Sequence, residues 1–200
     1  CTHAIGDMAN REVLNIYNKH LKKGNDSRFR IEHAQHIDLK DIPRFSELGV
    51  IAAIQGIHMS SDRPWAIDRL GKKRIVDSAY PWQKLYQSGA MIINGTDAPV
   101  EPINPIPSFY ASVSRKTLNK TPEGGYEPGE KMSRELALRS YTINGAFAAF
   151  EEDIKGSIEV GKLADFTVLD KDILLVDEDE ILETKIEMTI IGGEVVYKKK

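Results

Sequence analysis

Met91-Ile92-Ile93-Asn94-Gly95-Thr96-Asp97-Ala98-Pro99-Val100 reads as a short buried strand that runs out onto a rigid loop. The apolar run Met91 to Ile93 is entered through Ser88-Gly89-Ala90 and left through Asn94-Gly95. Pro99 forbids simple continuation of the strand. Asp97 therefore stands just past the strand's carboxyl end, where parallel α/β proteins place ligands and chemistry. Taken alone, the stretch slightly favours an aspartate that merely caps a following turn. Two other stretches move that balance.

Upstream, Val50-Ile51-Ala52-Ala53-Ile54-Gln55 is a continuous apolar run of the kind buried on both faces of a parallel sheet. Phe29-Arg30-Ile31-Glu32-His33-Ala34 alternates and predicts a strand with His33 near its end. Cys1-Thr2-His3-Ala4 reads as the end of another strand. Between these lie helical patterns. Asp7 is the expected N-cap of a helix over Met8 to Lys23, ended by Gly24-Asn25-Asp26-Ser27. Leu39 to Leu48 is an amphipathic helix stopped by Gly49, and Pro81 to Gln87 is a short one. His58, Ser60, Ser61 and Asp62 are expected in a loop after Gln55, with helix over Pro64 to Leu70. Strand–helix repetition of this kind predicts βαβ units and a parallel sheet.

The spacing adds weight. His33 follows His3 by 30 residues and Asp97 follows His33 by 64, close to one and two βαβ units of roughly 30 residues. One histidine near a strand end is more often a hydrogen-bonded core residue than a ligand. Two histidines and an aspartate in phase with the repeat favour a metal site, because His and carboxylate are the usual ligands of catalytic zinc and its relatives.

Beyond Asp97 the pattern changes. Pro99, Pro102, Pro105 and Pro107 crowd one loop, Ser108 to Lys116 is helical, and Thr121 to Glu130 is a polar surface loop. Ser133 caps what reads as the longest helix, running to about Phe150. Phe166 to Asp170 is a strand, and Ile186 to Ile191 and Glu194 to Tyr197 form a hairpin across Gly192-Gly193. The acidic run Asp177 to Glu180 reads as a solvated turn.

Composition sets the outer limits. With 200 residues, 41% hydrophobic and 28% charged, the chain is an ordinary globular sequence. A net charge of −3 gives no nucleic-acid footprint. No apolar run approaches the roughly 20 residues of a membrane span, and the start carries no signal-peptide pattern. The only cysteine, Cys1, excludes an internal disulfide framework and suits a reducing cytosol, so a cytoplasmic location is expected. The chain has no initiator Met and opens at a strand end, which leads us to expect a piece of a longer protein.

Several motifs together resemble the amidohydrolase superfamily, in its family-3 branch of metal-dependent hydrolases. They are His3-Ala4-Ile5-Gly6-Asp7, Arg30-Ile31-Glu32-His33-Ala34-Gln35 and Gly95-Thr96-Asp97-Ala98-Pro99-Val100. Tyr141-Thr142-Ile143-Asn144-Gly145-Ala146 and the stretch from Gly156 to Phe166 extend the match over nearly the whole chain. The resemblance implies a (β/α)8 barrel joined to a small β-sandwich. On that pattern His3, His33 and Asp97 end the fifth, sixth and eighth barrel strands. Residues 1–150 are then part of the barrel and residues 151–200 part of the sandwich. The family's first-strand His-x-His pair and its fourth-strand ligand have no counterpart, so the chain is expected to be the carboxyl-terminal half of an enzyme.

The resemblance also implies chemistry. His3 and His33 bind one divalent metal, expected to be Zn2+, and the intact enzyme holds one or two ions. Asp97 binds metal and handles the proton of the attacking water. The expected reaction is hydrolysis of an amide, a related C–N bond or an ester in a small-molecule substrate. His58 is a candidate substrate contact and equally an exposed loop histidine; His36 is expected near the ligands or on the surface. Glu32 points away from its neighbour His33 and is not a ligand, while Lys40, Arg63 and Arg74 are candidates to face an anionic substrate. The competing reading is a non-catalytic fragment of the same fold without metal. A serine hydrolase is disfavoured because no G-x-S-x-G elbow occurs. An isolated half-barrel has open strand edges. It is expected to self-associate, to be inactive and to hold at most one metal weakly.

Overall fold

The computed structural model describes residues 1–200. Its first sheet has four parallel strands in sequential order: β1 (Thr2–Ala4), β2 (Arg30–His33), β3 (Ile51–Ile54) and β4 (Ile92–Asn94). Ala4 lies opposite His33, Glu32 opposite Ala53, and Ala53 opposite Ile93. All four carboxyl ends therefore share one edge of the sheet. Every residue of β3 is buried, as its unbroken apolar run requires.

Helices α1 (Asp7–Asn18), α2 (Ile42–Leu48), α3 (Gly56–Ser78) and α4 (Trp82–Gln87) fill the connections. Gly49 ends α2 with φ 63°, a left-handed cap that glycine adopts without a Cβ penalty. The N-cap of α1 is Gly6, not Asp7; Asp7 is the first helical residue, and its Oδ1 accepts the Met8 N–H at 2.8 Å. That helix also ends before Lys23. His20 and Leu21 both donate to the Tyr17 carbonyl, which tightens the last turn and lets Leu21 bury without further helix.

The segment expected to be a loop after β3 is the start of α3. Its first N–H groups find partners on other elements, so no local cap is needed. Gly56 N–H donates to Asn94 Oδ1 at 3.0 Å, and Ile57 N–H to Ser108 Oγ at 3.1 Å. Gly56 is required there: a Cβ would collide with Ser112 Oγ and lie 2.6 Å from the Ser108 carbonyl. Gly71, with φ 74°, interrupts α3.

Helix α5 (Pro105–Ser114) is capped by Asn104, whose side chain accepts the Ile106 N–H. Ser133 caps α6 (Arg134–Tyr141) by accepting the Leu136 N–H at 3.1 Å. The helix read as continuous to Phe150 breaks at Thr142, with φ −120° and ψ −101°, and resumes as α7 (Ile143–Ala148). The break lets Asn144 Nδ2 donate to the Ile92 carbonyl of β4 at 2.9 Å. The longest helix is α3 rather than α6.

A second, antiparallel sheet comprises β5 (Phe166–Leu169), β6 (Ile186–Ile191) and β7 (Glu194–Lys198) in that order, with β6 and β7 joined at Gly192-Gly193. The acidic run between β5 and β6 is more than a solvated turn. Lys116 Nζ meets Glu178 at 3.0 Å and Asp179 at 2.9 Å, Lys131 meets Glu178 at 3.0 Å, and Tyr110 donates to Asp179 at 2.8 Å. Ile181 of the same turn is fully buried, and with Ile173 it joins the core that contains Leu14, Ile31, Phe45 and Ile54.

One charged side chain lies wholly inside. Arg115 donates to the Tyr80 carbonyl at 2.9 Å and the Tyr126 carbonyl at 3.0 Å, stacks 4.6 Å above Trp82 and pairs with Glu127 at 3.4 Å. Arg63 donates to the same carboxylate, 2.6 Å from Glu127 Oε1.

Candidate metal centre

The carboxyl edge of the parallel sheet opens on a cavity of about 640 Å³ whose lining includes His3, His33, His36, His58, Asp62 and Asp97. His33 is the last residue of β2, with φ 76°, and Ala34 follows at φ 43°. A non-glycine residue held in that region marks a constrained turn of the kind that clusters at working sites. His3, in β1, places its ring edge-on to His33 with centroids 4.5 Å apart. The chain behind His3 is pinned by Asn10, whose amide donates to the carbonyls of Ala4, Gly6 and His36 at 3.0 to 3.2 Å.

His58 enters from the first turn of α3. Its ring stacks on His33 at 5.7 Å with 20° between planes. Asp97 stands three residues past β4 with φ 57°, a conformation Asp tolerates better than most. His58 Nε2 lies 3.9 Å from Asp97 Oδ2, too far for a hydrogen bond, and is buried without any hydrogen-bond partner. Ligand-competent atoms of His33, His58 and Asp97 all lie within 4.8 Å of one another. Two imidazoles and a carboxylate form a donor set that suits zinc or a similar divalent ion. The orphaned Nε2 is the kind of buried polar atom that demands a partner. The residues therefore fit a cation.

Burial pushes the His58 imidazole down from its ordinary pKa. Asp62, Glu101 and Asp97 oppose that shift, and His33 adds to it. Burial likewise pushes Asp62 up, against the 3.3 Å hydrogen bond from Gln35 and the proximity of His58. A neutral imidazole is the form a metal needs.

His3, His33 and Asp97 share the cavity, but the tightest group contains His58 in place of His3. The helical spacing of His58, Asp62, Trp65, Ala66 and Arg69 puts one face of α3 along the cavity. That face is visible in the sequence once Gln55 is read as a helix boundary rather than a loop entrance. None of Lys40, Arg63 and Arg74 lines the cavity; Arg69 does. Arg63 is turned to Glu127 and Arg74 to the Leu70 carbonyl. Glu32 is turned to Arg30 at 3.3 Å.

His36 is neither exposed nor hydrogen-bonded through Nδ1. Burial lowers its pKa to about 4, with Asp7 raising it and Arg74 lowering it. The unfolded chain binds this proton near pH 6.5, so between that pH and about 4 the unfolded state carries more protons. Stability from this group is full above pH 6.5 and is lost as pH falls toward 4, by on the order of 3 kcal/mol. Urea midpoints between pH 7 and 4 should fall for the wild type and fall less for His36→Gln. Equal slopes would show that other groups control the acid limb.

A parallel sheet with histidines and an aspartate gathered over one cavity at its strand ends defines an α/β protein of the class that works at that edge. The chain belongs to the amidohydrolase family, whose sequence model matches residues 1–197. It is 36% identical over 197 residues to YtcJ of Bacillus subtilis (strain 168), covering 98% of this chain and 37% of that protein. It is 28% identical over 199 residues to an N-substituted formamide deformylase of Arthrobacter pascens, covering 98% of this chain and 36% of the deformylase. The structure superposes on an uncharacterized metal-dependent hydrolase from Pyrococcus horikoshii OT3 with TM-score 0.75 and 30% identity, over 88% of this chain and 34% of the hydrolase. The chain thus spans about a third of the length of these relatives. No helix is long and apolar enough to cross a membrane.

Proposed function

We propose that this chain carries the carboxyl-terminal part of a metal-dependent hydrolase that cleaves an amide, a related C–N bond or an ester in a small molecule. The observation that carries the reading is the convergence of His33, His58 and Asp97 within 4.8 Å at the strand ends. The deformylase and the Pyrococcus hydrolase, matched along nearly the same residues, support it. In this reading residues 1–150 contribute half of a barrel, and residues 151–200 contribute strands to a small β-sandwich. The missing strands pair with the free edges of β1 and β4. The single exposed cysteine suits the cytoplasm.

His3, His33, His58 and Asp97 would hold the divalent metal, Zn2+ by the donor types. When bound, such an ion would supply Lewis acidity. Asp97 takes a proton from the attacking water and returns it to the leaving atom. Asp62, on the face of α3 that lines the cavity, contacts the substrate.

Metal-free full-length protein titrated with Zn2+ tests the reading. The wild type is expected to bind stoichiometrically, and His33→Ala and Asp97→Ala at least about 10-fold more weakly. Identical isotherms for all three would overturn it. For the 200-residue chain alone, the open edges predict association on size-exclusion chromatography; a stable monomer with two tightly held ions would refute the half-barrel reading.

A further inference from the structure

We infer that Gln55 is a positioning residue that fixes the tautomer of His33 and thereby selects the ring nitrogen offered to the metal. The inference rests on the metal-site reading above. Gln55 follows the last residue of β3 and is the N-cap residue of α3. Its Oε1 lies 2.8 Å from His33 Nδ1. Which end of the amide faces His33 is decided by its other end: Nε2 donates to the Ala53 carbonyl at 3.2 Å. A flipped amide would set Oε1 against that carbonyl, two acceptors with no proton between them. Oε1 therefore faces the imidazole, and because it carries no proton, Nδ1 must be the donor. His33 is thus the Nδ1–H tautomer, with its free lone pair on Nε2.

The same residue also anchors the neighbouring histidine. The Gln55 carbonyl accepts the His58 N–H at 3.1 Å. Side chain and main chain of one residue thus align two rings that stack on each other. An imidazole without such a partner samples both tautomers and offers each nitrogen only part of the time.

The test uses metal-free full-length protein labelled with 15N in its histidines. In the wild type, His33 is expected to give the long-range 1H–15N pattern of Nδ1–H. In Gln55→Leu it should shift toward Nε2–H, and Zn2+ affinity, read by competition with a chromophoric chelator, should fall about 10- to 100-fold. Gln55→Glu gives up the bond to the Ala53 carbonyl but keeps an acceptor at Nδ1, and should retain the Nδ1–H pattern with an affinity no weaker than the wild type's. If Gln55→Leu fails to fold, Gln55→Glu decides alone, and an Nε2–H signal there overturns the inference. So does a Gln55→Leu protein with unchanged tautomer and unchanged affinity. A wild type that shows Nδ1–H but binds no Zn2+ counts against the metal reading and leaves the tautomer assignment standing.

Discussion

Asp97→Asn is expected to lower turnover of the full-length protein about 10²- to 10⁴-fold, the usual cost of losing a general acid/base, while its unfolding midpoint stays within error of the wild type. The asymmetry follows from what Asp97 touches. Its main-chain carbonyl accepts the Val100 N–H at 2.8 Å, a bond that substitution leaves intact. Its φ of 57° is one that Asn adopts as readily as Asp. Its side chain makes no hydrogen bond, has His58 at 3.9 Å as its ionic neighbour and is 37% exposed. Nothing in the fold therefore depends on its charge. The proposed chemistry does, because an amide cannot accept the proton of water at neutral pH. Steady-state kinetics beside a denaturant titration checks both halves. Near-normal turnover on the enzyme's own substrate would remove Asp97 from the catalytic role.

The largest expected loss of stability is that of Arg115→Leu, about 3–5 kcal/mol, as for other buried charges whose partners are abandoned. Arg115 is fully buried, and burial brings its pKa down to about 10, against the raising influence of Glu127, Glu130 and Tyr80. It remains charged at neutral pH. Its removal leaves the Tyr126 carbonyl without its donor, the Tyr80 carbonyl with the Trp82 N–H alone, and Glu127 with Arg63 alone. Buried acceptors without partners each cost about 1–3 kcal/mol. Leu also gives up the stacking on Trp82. Urea denaturation reads the loss directly. A change below 1 kcal/mol would mean that water or Arg63 replaces the guanidinium without penalty.

The parallel sheet was legible because its strands need no partner to announce themselves. Val50 to Gln55 and Met91 to Ile93 are apolar runs with turn residues at their ends, and their spacing put His3, His33 and Asp97 at strand ends. What escaped the sequence depends on distant residues. The start of α3 looks like a loop because Ser60, Ser61 and Asp62 are poor interior helix formers. Asn94 and Ser108, 38 and 51 residues away, supply its capping bonds. The acidic run looks solvated because its cations, Lys116 and Lys131, lie far back along the chain. The break at Thr142 serves a bond from Asn144 to β4, which no local pattern encodes. Gln55 and Asp62 were not read as site residues: a neutral amide carries no chemical signature, and Asp62 gains one only once α3 is a helix.

The tether between the acidic turn and α5 bears on how the chain can be recombined. Ile173 and Ile181 belong to the core under the parallel sheet, although they lie between two strands of the other sheet, β5 and β6. The small sheet is therefore not an interchangeable module bounded by one cut. A chimera that swaps everything after residue 150 with a relative also exchanges two core side chains and the carboxylates that meet Lys116. A graft that keeps 171–184 with its own α5 and replaces only the flanking strands preserves that seam. Divergence among relatives should follow the same line, with residues 171–184 changing in step with α5 and the hairpin beyond Lys185 free to drift.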